Sequence, residues 1–495
     1  MHFYLIYKIR DITLNNQFPC LGFIKDNWND YGYQTLFNVV YYNSPNDFEE
    51  LGYYRIMQEG KSSTDLPSEF DFLPDEYCSL AMSDDFYTKF YKRNKNEIEK
   101  ALLTLNDVSL KTEYFDKLQN DRVFNSSLLR GSSIEFIKKN YKKIIQGNSD
   151  VYNQEFSYNA NLDFTENKNL ELTFSFLPLD KNLNGVMNRL NCLIGKNAAG
   201  KTTILSKLAI SLCSKNDEKS KIEFPKGRPH FSKIIAISFS MFDNFEHPND
   251  FNDGTDSIVD KNYSYCGFHN SKGRLITEKQ KSDKLYKSWK DIISNMNLYN
   301  EWKDFLKIFL TKEQINYISN KNITNRKDFE ILLNNFKISS GQQMMFYFTT
   351  HTLANISDGA LILFDEPELH LHPNAISQII KLLYQILQQK NSYAIIATHS
   401  PIIVQQIPRK YVTIINHVDE TVYTIPAPIE TFGENLSILT REIFDNIDND
   451  SYYKNMLKLM NSMFYHNTEY IKKIFDYNLS INAEFFLENL KNVDL

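Results

Sequence analysis

An α/β fold built on a mainly parallel sheet with helices on both faces is what this sequence predicts. Three observations carry that expectation. A short apolar strand at 191–194 runs into a glycine loop and then into a helix over 201–213, where Ile204, Leu205, Leu208 and Leu212 fall on one face. A second apolar strand, 360–364, ends in two adjacent carboxylates and leads to a helix with an apolar stripe of Ile376, Ile379, Ile380, Leu383 and Leu387. A third buried strand at 394–397 follows that helix. Strands that alternate with helices are joined by crossovers, and crossovers give parallel pairing.

The remaining elements are read in chain order. Segments 3–9 and 35–42 read as strands, and 65–147 as mostly helical. Residues 171–177 alternate apolar and polar side chains, as a half-buried strand does. Residues 234–239 form an apolar strand, and 244–273 is loop-rich, with Pro248, Gly254, Gly267 and Gly273. A charged helical stretch covers 278–335. These signals divide the chain into six regions. They are an N-terminal β region (1–60), a helical insertion (61–150), a lobe with the glycine loop (151–245), a helical lobe (246–337), a second lobe (338–434) and a helical tail (435–495).

Composition narrows the function classes. The 495 residues carry a net charge of −6, which argues against a globally basic nucleic-acid binder. The 36 Phe and 30 Tyr argue for packed cores rather than disorder. The five cysteines are scattered without a C-x-x-C pair, so neither a zinc ribbon nor a disulfide framework is expected. No apolar run reaches the roughly 18 residues of a membrane span, and the N-terminus does not read as a secretory signal. A cytoplasmic protein is the expectation.

Four motifs carry chemistry. Gly195-Lys196-Asn197-Ala198-Ala199-Gly200-Lys201-Thr202, followed by Thr203, matches G-x-x-x-x-G-K-[ST] between a strand and a helix. Loop N–H groups and the helix N-terminus suit phosphates, Lys201 suits the β- and γ-phosphates, and the Thr202 hydroxyl suits Mg²⁺. At the end of the second strand, Asp365 is placed to hold Mg²⁺ and Glu366 to orient or deprotonate a water. Ser339-Ser340-Gly341-Gln342 opens a helix and offers N–H groups, a hydroxyl and a helix dipole to an anion. The third strand ends at His399, where it could sense a γ-phosphate.

In this order the four motifs resemble the ABC-type ATPases. The stretch Asp365-Glu366-Pro367-Glu368-Leu369-His370-Leu371-His372-Pro373 and the Thr398-His399-Ser400-Pro401 strand end narrow the likeness to the RecF, SMC and overcoming-lysogenization-defect group, and away from transporter ATPases. The resemblance implies an ABC-type head with an antiparallel β subdomain and helical insertions. It implies ATP and Mg²⁺ as cofactors. It also implies head-to-tail pairing of two heads in a homodimer or higher oligomer, with Ser339 of one head completing the phosphate site of the other. Catalysis would then involve Glu366, His399, Lys201 and Ser339, and His372 would lie at the dimer seam.

Two departures stand out. Ala198-Ala199 stands where many relatives have a glycine, and no glutamine ends the 234–239 strand. Ser240, Asp243 and Asn244 are the candidates to replace it.

The stretch from Lys201 to Ser339 is short and carries no sustained heptad, so a compact head is expected. No acid cluster of the Toprim kind follows the histidine strand. Asp445, Asp448 and Asp450 read as a solvated loop, so no intrinsic nuclease is expected. Together these features most resemble the ATPases of Septu-type antiviral systems (the PtuA family), which work with a separate HNH-type nuclease subunit. The alternative is a RecF-like DNA repair or maintenance ATPase. Two lysine groups could contact DNA or RNA: Lys138, Lys139, Lys142 and Lys143, and Lys281, Lys284 and Lys287.

Overall fold

A computed structural model describes the chain except residues 27–31, 130–133, 149–154, 162–168, 178–186, 197–198, 214–221, 226–227, 241–244, 246–262, 271–272, 320–322, 324, 419–420, 445–451 and 491–495. The first sheet gathers β1 (His2–Ile6), β2 (Cys20–Lys25), β3 (Leu36–Ser44), β4 (Asp47–Gln58), β5 (Glu69–Phe70) and β6 (Tyr77–Ala81), in the order β5-β1-β2-β3-β4-β6. The boundary drawn at residue 60 therefore runs through this sheet, because β5 and β6 pair with β1 and β4. Helical segments between Asp84 and Ile145 pack on it, and Phe3, Phe23, Phe37, Tyr54, Phe86, Phe90, Phe115 and Phe136 share one core.

Within that core lies a buried carboxylate, Asp107. Tyr54 Oη donates to its Oδ2 at 2.7 Å and Tyr87 Oη at 2.8 Å. The Ser109 N–H donates to Oδ1 at 2.9 Å, and the Ser109 hydroxyl donates to the same atom. Burial pushes the Asp107 carboxyl above the usual carboxylate range in spite of these four bonds.

A three-stranded antiparallel sheet has the order β10-β7-β8, from β7 (Glu155–Asn161), β8 (Asn169–Ser175) and β10 (Ile222–Glu223). The largest sheet has seven strands: β9 (Leu190–Gly195), β11 (Ile234–Ser238), β12 (Tyr263–Gly267), β13 (Leu361–Asp365), β14 (Tyr393–Thr398), β15 (Val412–Val418) and β16 (Thr421–Pro426). Its order is β12-β11-β13-β14-β9-β15-β16, and every pairing is parallel except β15 with β16. The helix Lys201–Cys213 packs on one face, where Ile204, Leu205 and Leu208 join Leu193, Leu363 and Ile395 in a core. This is the α/β architecture that the alternating pattern predicts, a mainly parallel sheet flanked by helices; the antiparallel sheet and the helical insertions are those that the resemblance implies.

The register decides where chemistry can gather. Asp365 pairs with Ala397, and Thr398 pairs with Ile194. The carboxyl ends of β13, β14 and β9 thus form one edge, the usual location of ligands in open parallel sheets.

The helices Glu278–Ile293, Met296–Leu306, Lys312–Ser319 and Arg326–Asn334 make up the helical lobe. Trp302 Nε1 donates to Thr350 Oγ1 at 3.1 Å, and the Ser288 hydroxyl lies 2.8 Å from His351 Nδ1. Both contacts tie the lobe to the helix Ser340–Asn355.

Residues Asn435–Leu495 are a compact unit of their own. Its helices, Leu436–Glu442, Tyr452–Met463, Thr468–Ile474 and Ile481–Leu490, bury Leu457, Ile471, Ala483 and Leu487, while Tyr465, Ile481 and Phe485 are exposed. Asp445, Asp448 and Asp450 lie outside the described residues. Among the described residues no helix is long and apolar enough to cross a membrane, and the five cysteines are buried thiols.

Candidate active site

The glycine loop begins where β9 ends, and two of its glycines are dictated by geometry. A Cβ on Gly195 would sit 2.6 Å from the Ile415 carbonyl oxygen of the neighbouring strand. Gly200 adopts φ +86°, the left-handed region that glycine enters without a steric penalty. Lys196 and Ala199 are described, whereas Asn197 and Ala198 lie outside the described residues. The helix opens at Lys201, so Thr202 and Thr203 occupy its first turn, whose N–H groups have no partner within the helix.

Lys201 is buried, with 5% of its surface exposed, and its ammonium folds back over the loop. It donates to Gly195 O at 3.0 Å and Lys196 O at 3.3 Å, and lies 2.8 Å from His399 Nε2. Burial pulls its pKa below the usual lysine value, while Glu366, Asp365 and Glu368 act in the opposite direction. Thr202 Oγ1 donates to Asp365 Oδ2 at 2.8 Å. A hydroxyl and a carboxylate converging at a phosphate-type loop form the oxygen donor set that Mg²⁺ takes.

Glu366 lies in the left-handed region at φ +46°, an uncommon conformation for a residue with a side chain. Its N–H donates to Ala397 O at 2.8 Å, which holds the turn against β14. The carboxylate lies 3.1 Å from His399 Nε2. The hydrogen bond with His399, aided by the charges of His399 and Lys201, overcomes partial burial and holds the Glu366 carboxyl below the usual range. It is ionised at neutral pH and able to orient or deprotonate a water.

His399 Nε2 therefore faces a donor, Lys201, and an acceptor, Glu366, through one nitrogen. A protonated Nε2 donates to Glu366; a bare one accepts from Lys201. Lys201 Nζ also lies 3.4 Å from Nδ1, so the ring has two arrangements: Nε2–H donates to Glu366 while Nδ1 accepts from Lys201, or a bare Nε2 accepts from Lys201 and Glu366 loses its donor.

Ser339 lies elsewhere. It caps the helix Ser340–Asn355: its hydroxyl accepts from the Gln342 N–H at 3.3 Å, and Gln342 Oε1 accepts from the Ser339 N–H at 2.9 Å. Gln342 Nε2 donates to Phe309 O at 2.8 Å, which anchors the cap to the helical lobe. Ser340 and Gly341 form the first turn of the helix. Ser339 is exposed, and among the described residues no hydrogen bond joins it to the Lys201 cluster.

Of the two departures, the one at Ala198-Ala199 falls partly outside the described residues, and the one at the β11 end is visible. Asp243 and Asn244 lie outside the described residues, and Ser240 donates its N–H to Ser238 Oγ at 3.4 Å. The β11 end carries an aromatic contact instead of a glutamine. Phe239 packs against Phe268, Tyr347 and Phe364 with ring centroids 5.3, 6.0 and 5.8 Å away. His372 caps the helix Pro373–Gln389 and is exposed, as is His370, and no metal-holding group of side chains occurs among the described residues.

Of the lysine groups, Lys138, Lys139, Lys142 and Lys143 are all exposed. Lys281 and Lys284 form no open stripe. They lie over Phe268 and Tyr265, at 4.5 and 5.7 Å from the ring centroids.

The sequence reading missed Glu368 as a part of this site and used it only as a subgroup mark. Glu368 Oε1 accepts from Thr398 Oγ1 and from the His399 N–H, both at 2.7 Å.

Residues 249–405 match the family described as "AAA domain, putative AbiEii toxin, Type IV TA system". That span holds the Ser339 cap, the Asp365-Glu366 strand end and His399, and begins after the glycine loop. Protein ea59 of Escherichia phage lambda is 27% identical over 482 residues, covering 89% of this chain and 87% of the phage protein. Among solved structures, a nucleotide-free ATP-binding cassette from an ABC transporter covers 60% of this chain and all 100% of its own at 12% identity, with a TM-score of 0.30. The SMC head domain from Thermotoga maritima covers 56% of this chain and 99% of its own at 9% identity, also with a TM-score of 0.30. These structural likenesses are too loose to bear on function. The match over residues 249–405 is to an AAA domain, and the convergence of a glycine loop, a lysine, a hydroxyl and carboxylates agrees with nucleotide binding.

Proposed function

We propose that two copies of this chain pair head-to-tail around ATP and Mg²⁺ and hydrolyse ATP at composite sites. The observation that carries this reading is the division of the site: Lys201, Thr202, Asp365, Glu366 and His399 converge, while Ser339 presents an exposed helix N-terminus apart from them. Loop N–H groups and Lys201 hold the phosphates, and Thr202 with Asp365 holds Mg²⁺. The metal, when bound, neutralises charge on the phosphate oxygens. Glu366 takes the proton of the attacking water or fixes its direction, and His399 exchanges Lys201 or Glu366 for a phosphate oxygen. Ser339 and the first-turn N–H groups of the partner head complete the anion site.

The pairing serves regulation in this proposal. The chain acts as the sensor of an antiviral system of the Septu (PtuA) kind and controls a separate HNH-type nuclease subunit. A family description that includes a toxin–antitoxin system supports this reading. The exposed apolar side chains of Asn435–Leu495 suit partner docking, and Lys138, Lys139, Lys142 and Lys143 suit contact with nucleic acid.

The pairing is tested by complementation. Ser339→Arg places a bulky cation against the partner's phosphate site, and Lys201→Ala removes the cation that holds the phosphates. Each variant alone should be inactive. Mixed in equal amounts, half of the pairs combine the two variants and one site in two of those has a native loop and a native Ser339, so hydrolysis should return to about a quarter of the wild-type level. Wild-type hydrolysis by Ser339→Arg alone at limiting dilution would show that each chain works by itself.

A further inference from the structure

We infer that Glu368 is a positioning residue for His399, stapling the end of β14 to the turn that follows β13. The inference rests on the ATPase reading above and goes beyond it, because the phosphate-site motifs leave Glu368 without a task.

The geometry starts with the strand ends. β14 stops at Thr398, so the N–H groups of His399 and Ser400 leave the ladder without a strand partner. Both are supplied through one carboxylate. Glu368 Oε1 accepts the His399 N–H at 2.7 Å and the Thr398 hydroxyl at 2.7 Å. Thr398 Oγ1 in turn accepts the Ser400 N–H at 2.9 Å. One oxygen thus fixes three consecutive residues, and the middle one carries the ring that reaches Lys201 and Glu366.

The turn supplies the other half of the staple. Glu366 in the left-handed region and Pro367 after it reverse the chain at once, so Glu366 and Glu368 both face β14 from one short turn. The Leu371 N–H donates to Glu368 O at 3.1 Å, which holds the backbone of the turn. Glu368 Oε2 is buried without a hydrogen-bond partner among the described residues. A carboxylate with one oxygen doubly bonded and the other shielded from water cannot be swapped for another short side chain. Burial raises the Glu368 carboxyl above the usual range, while the bonds from the His399 N–H and Thr398 draw it down. A displacement of about 1 Å at a catalytic group costs about 100-fold in rate, which sets the expected effect.

The test is steady-state ATP hydrolysis by the full chain. Glu368→Ala should lower kcat about 100-fold with KM for ATP within threefold, because the phosphate loop is untouched. Glu368→Gln keeps an acceptor for both bonds and should recover to within about tenfold of wild type. Thr398→Val removes the bond to Glu368 and the acceptor of the Ser400 N–H, keeps the carboxylate and its bond from the His399 N–H, and should fall between them; it also serves if Glu368→Ala fails to fold. The deciding measurement is a cycle with His399→Ala: in that background Glu368→Ala should cost less than threefold, since the group it positions is gone. A fully additive cycle overturns the inference, as does an active wild type with Glu368→Ala within threefold of it. A wild type without ATP turnover overturns the ATPase reading itself, and this inference with it.

Discussion

Two regions of this molecule withdraw a carboxylate from water, one wholly and one in part, and they treat them in opposite ways. Asp107, in the core of the N-terminal sheet, meets four donors from Tyr54, Tyr87 and Ser109, none of them charged. Its carboxyl is pushed above the usual range by burial. Glu366, at the edge of the seven-stranded sheet, meets a histidine and a lysine, and its carboxyl is held below the usual range. Asp107 has all its partners and one arrangement. Glu366 shares His399 Nε2 with Lys201, so the group keeps a choice of partners. Complete satisfaction marks a carboxylate that holds structure, and contested partners mark one poised for chemistry.

The comparison is broken most directly at Glu366. Glu366→Gln should lower single-turnover ATP hydrolysis about 1000-fold, roughly 4 kcal/mol of transition-state stabilisation, while equilibrium ATP binding stays as in wild type. Hydrolysis within threefold of wild type would remove Glu366 from the chemistry. Asp107→Ala should act on the other quantity. It removes the acceptor of three hydroxyls and an N–H in the core, of which Tyr54 Oη keeps Ser79 Oγ at 2.9 Å, and should cost about 3 kcal/mol of unfolding free energy in urea, with turnover per folded molecule unchanged. A loss below about 1 kcal/mol would mean that the network is not what holds this core.

The smallest effect is the sharpest. The folded-state pKa of Asp107 is raised, so its contribution to stability is fully present below the unfolded carboxyl pKa of about 4 and is lost as pH rises through the folded value. Asp107→Asn removes the titration and keeps the shape. Its stability curve should lack the decline that wild type shows on going up from about pH 4. Parallel curves for the two proteins would assign the decline to another group.

How much of this was legible in the sequence follows from how local each signal is. The glycine loop, the Asp365-Glu366 strand end, the Ser339 cap and the His399 strand end each combine a short apolar run with a punctuating residue, and each stands at the end of a strand or the start of a helix. The division near residue 60 fell short because sheet membership is non-local: β5 is too short to announce itself, and β6 joins β4 across an intervening turn. Glu368 was unreadable for the same reason. Its partners lie 30 and 31 residues away, on a strand whose adjacency to β13 no periodicity reveals. Phe239 marks a third kind of gap. The family pattern asks for a polar coupler at the β11 end, and this chain has an aromatic cluster there, which only packing discloses.

The place of β9 in the large sheet has a consequence for how the chain is made. β9 carries the phosphate loop, yet both of its ladder neighbours, β14 and β15, come roughly 200 residues later in the chain. At a ribosomal pace of about 5–20 residues per second, the strand waits roughly 10–40 seconds with both edges unpaired. Such edges are templates for pairing with other chains, so synthesis passes through an interval of aggregation risk that the finished protein does not have. Through that same interval Lys201 has neither Glu366 nor His399 beside it. A ribosome-bound or truncated chain is therefore silent as an ATPase until its last third has been added.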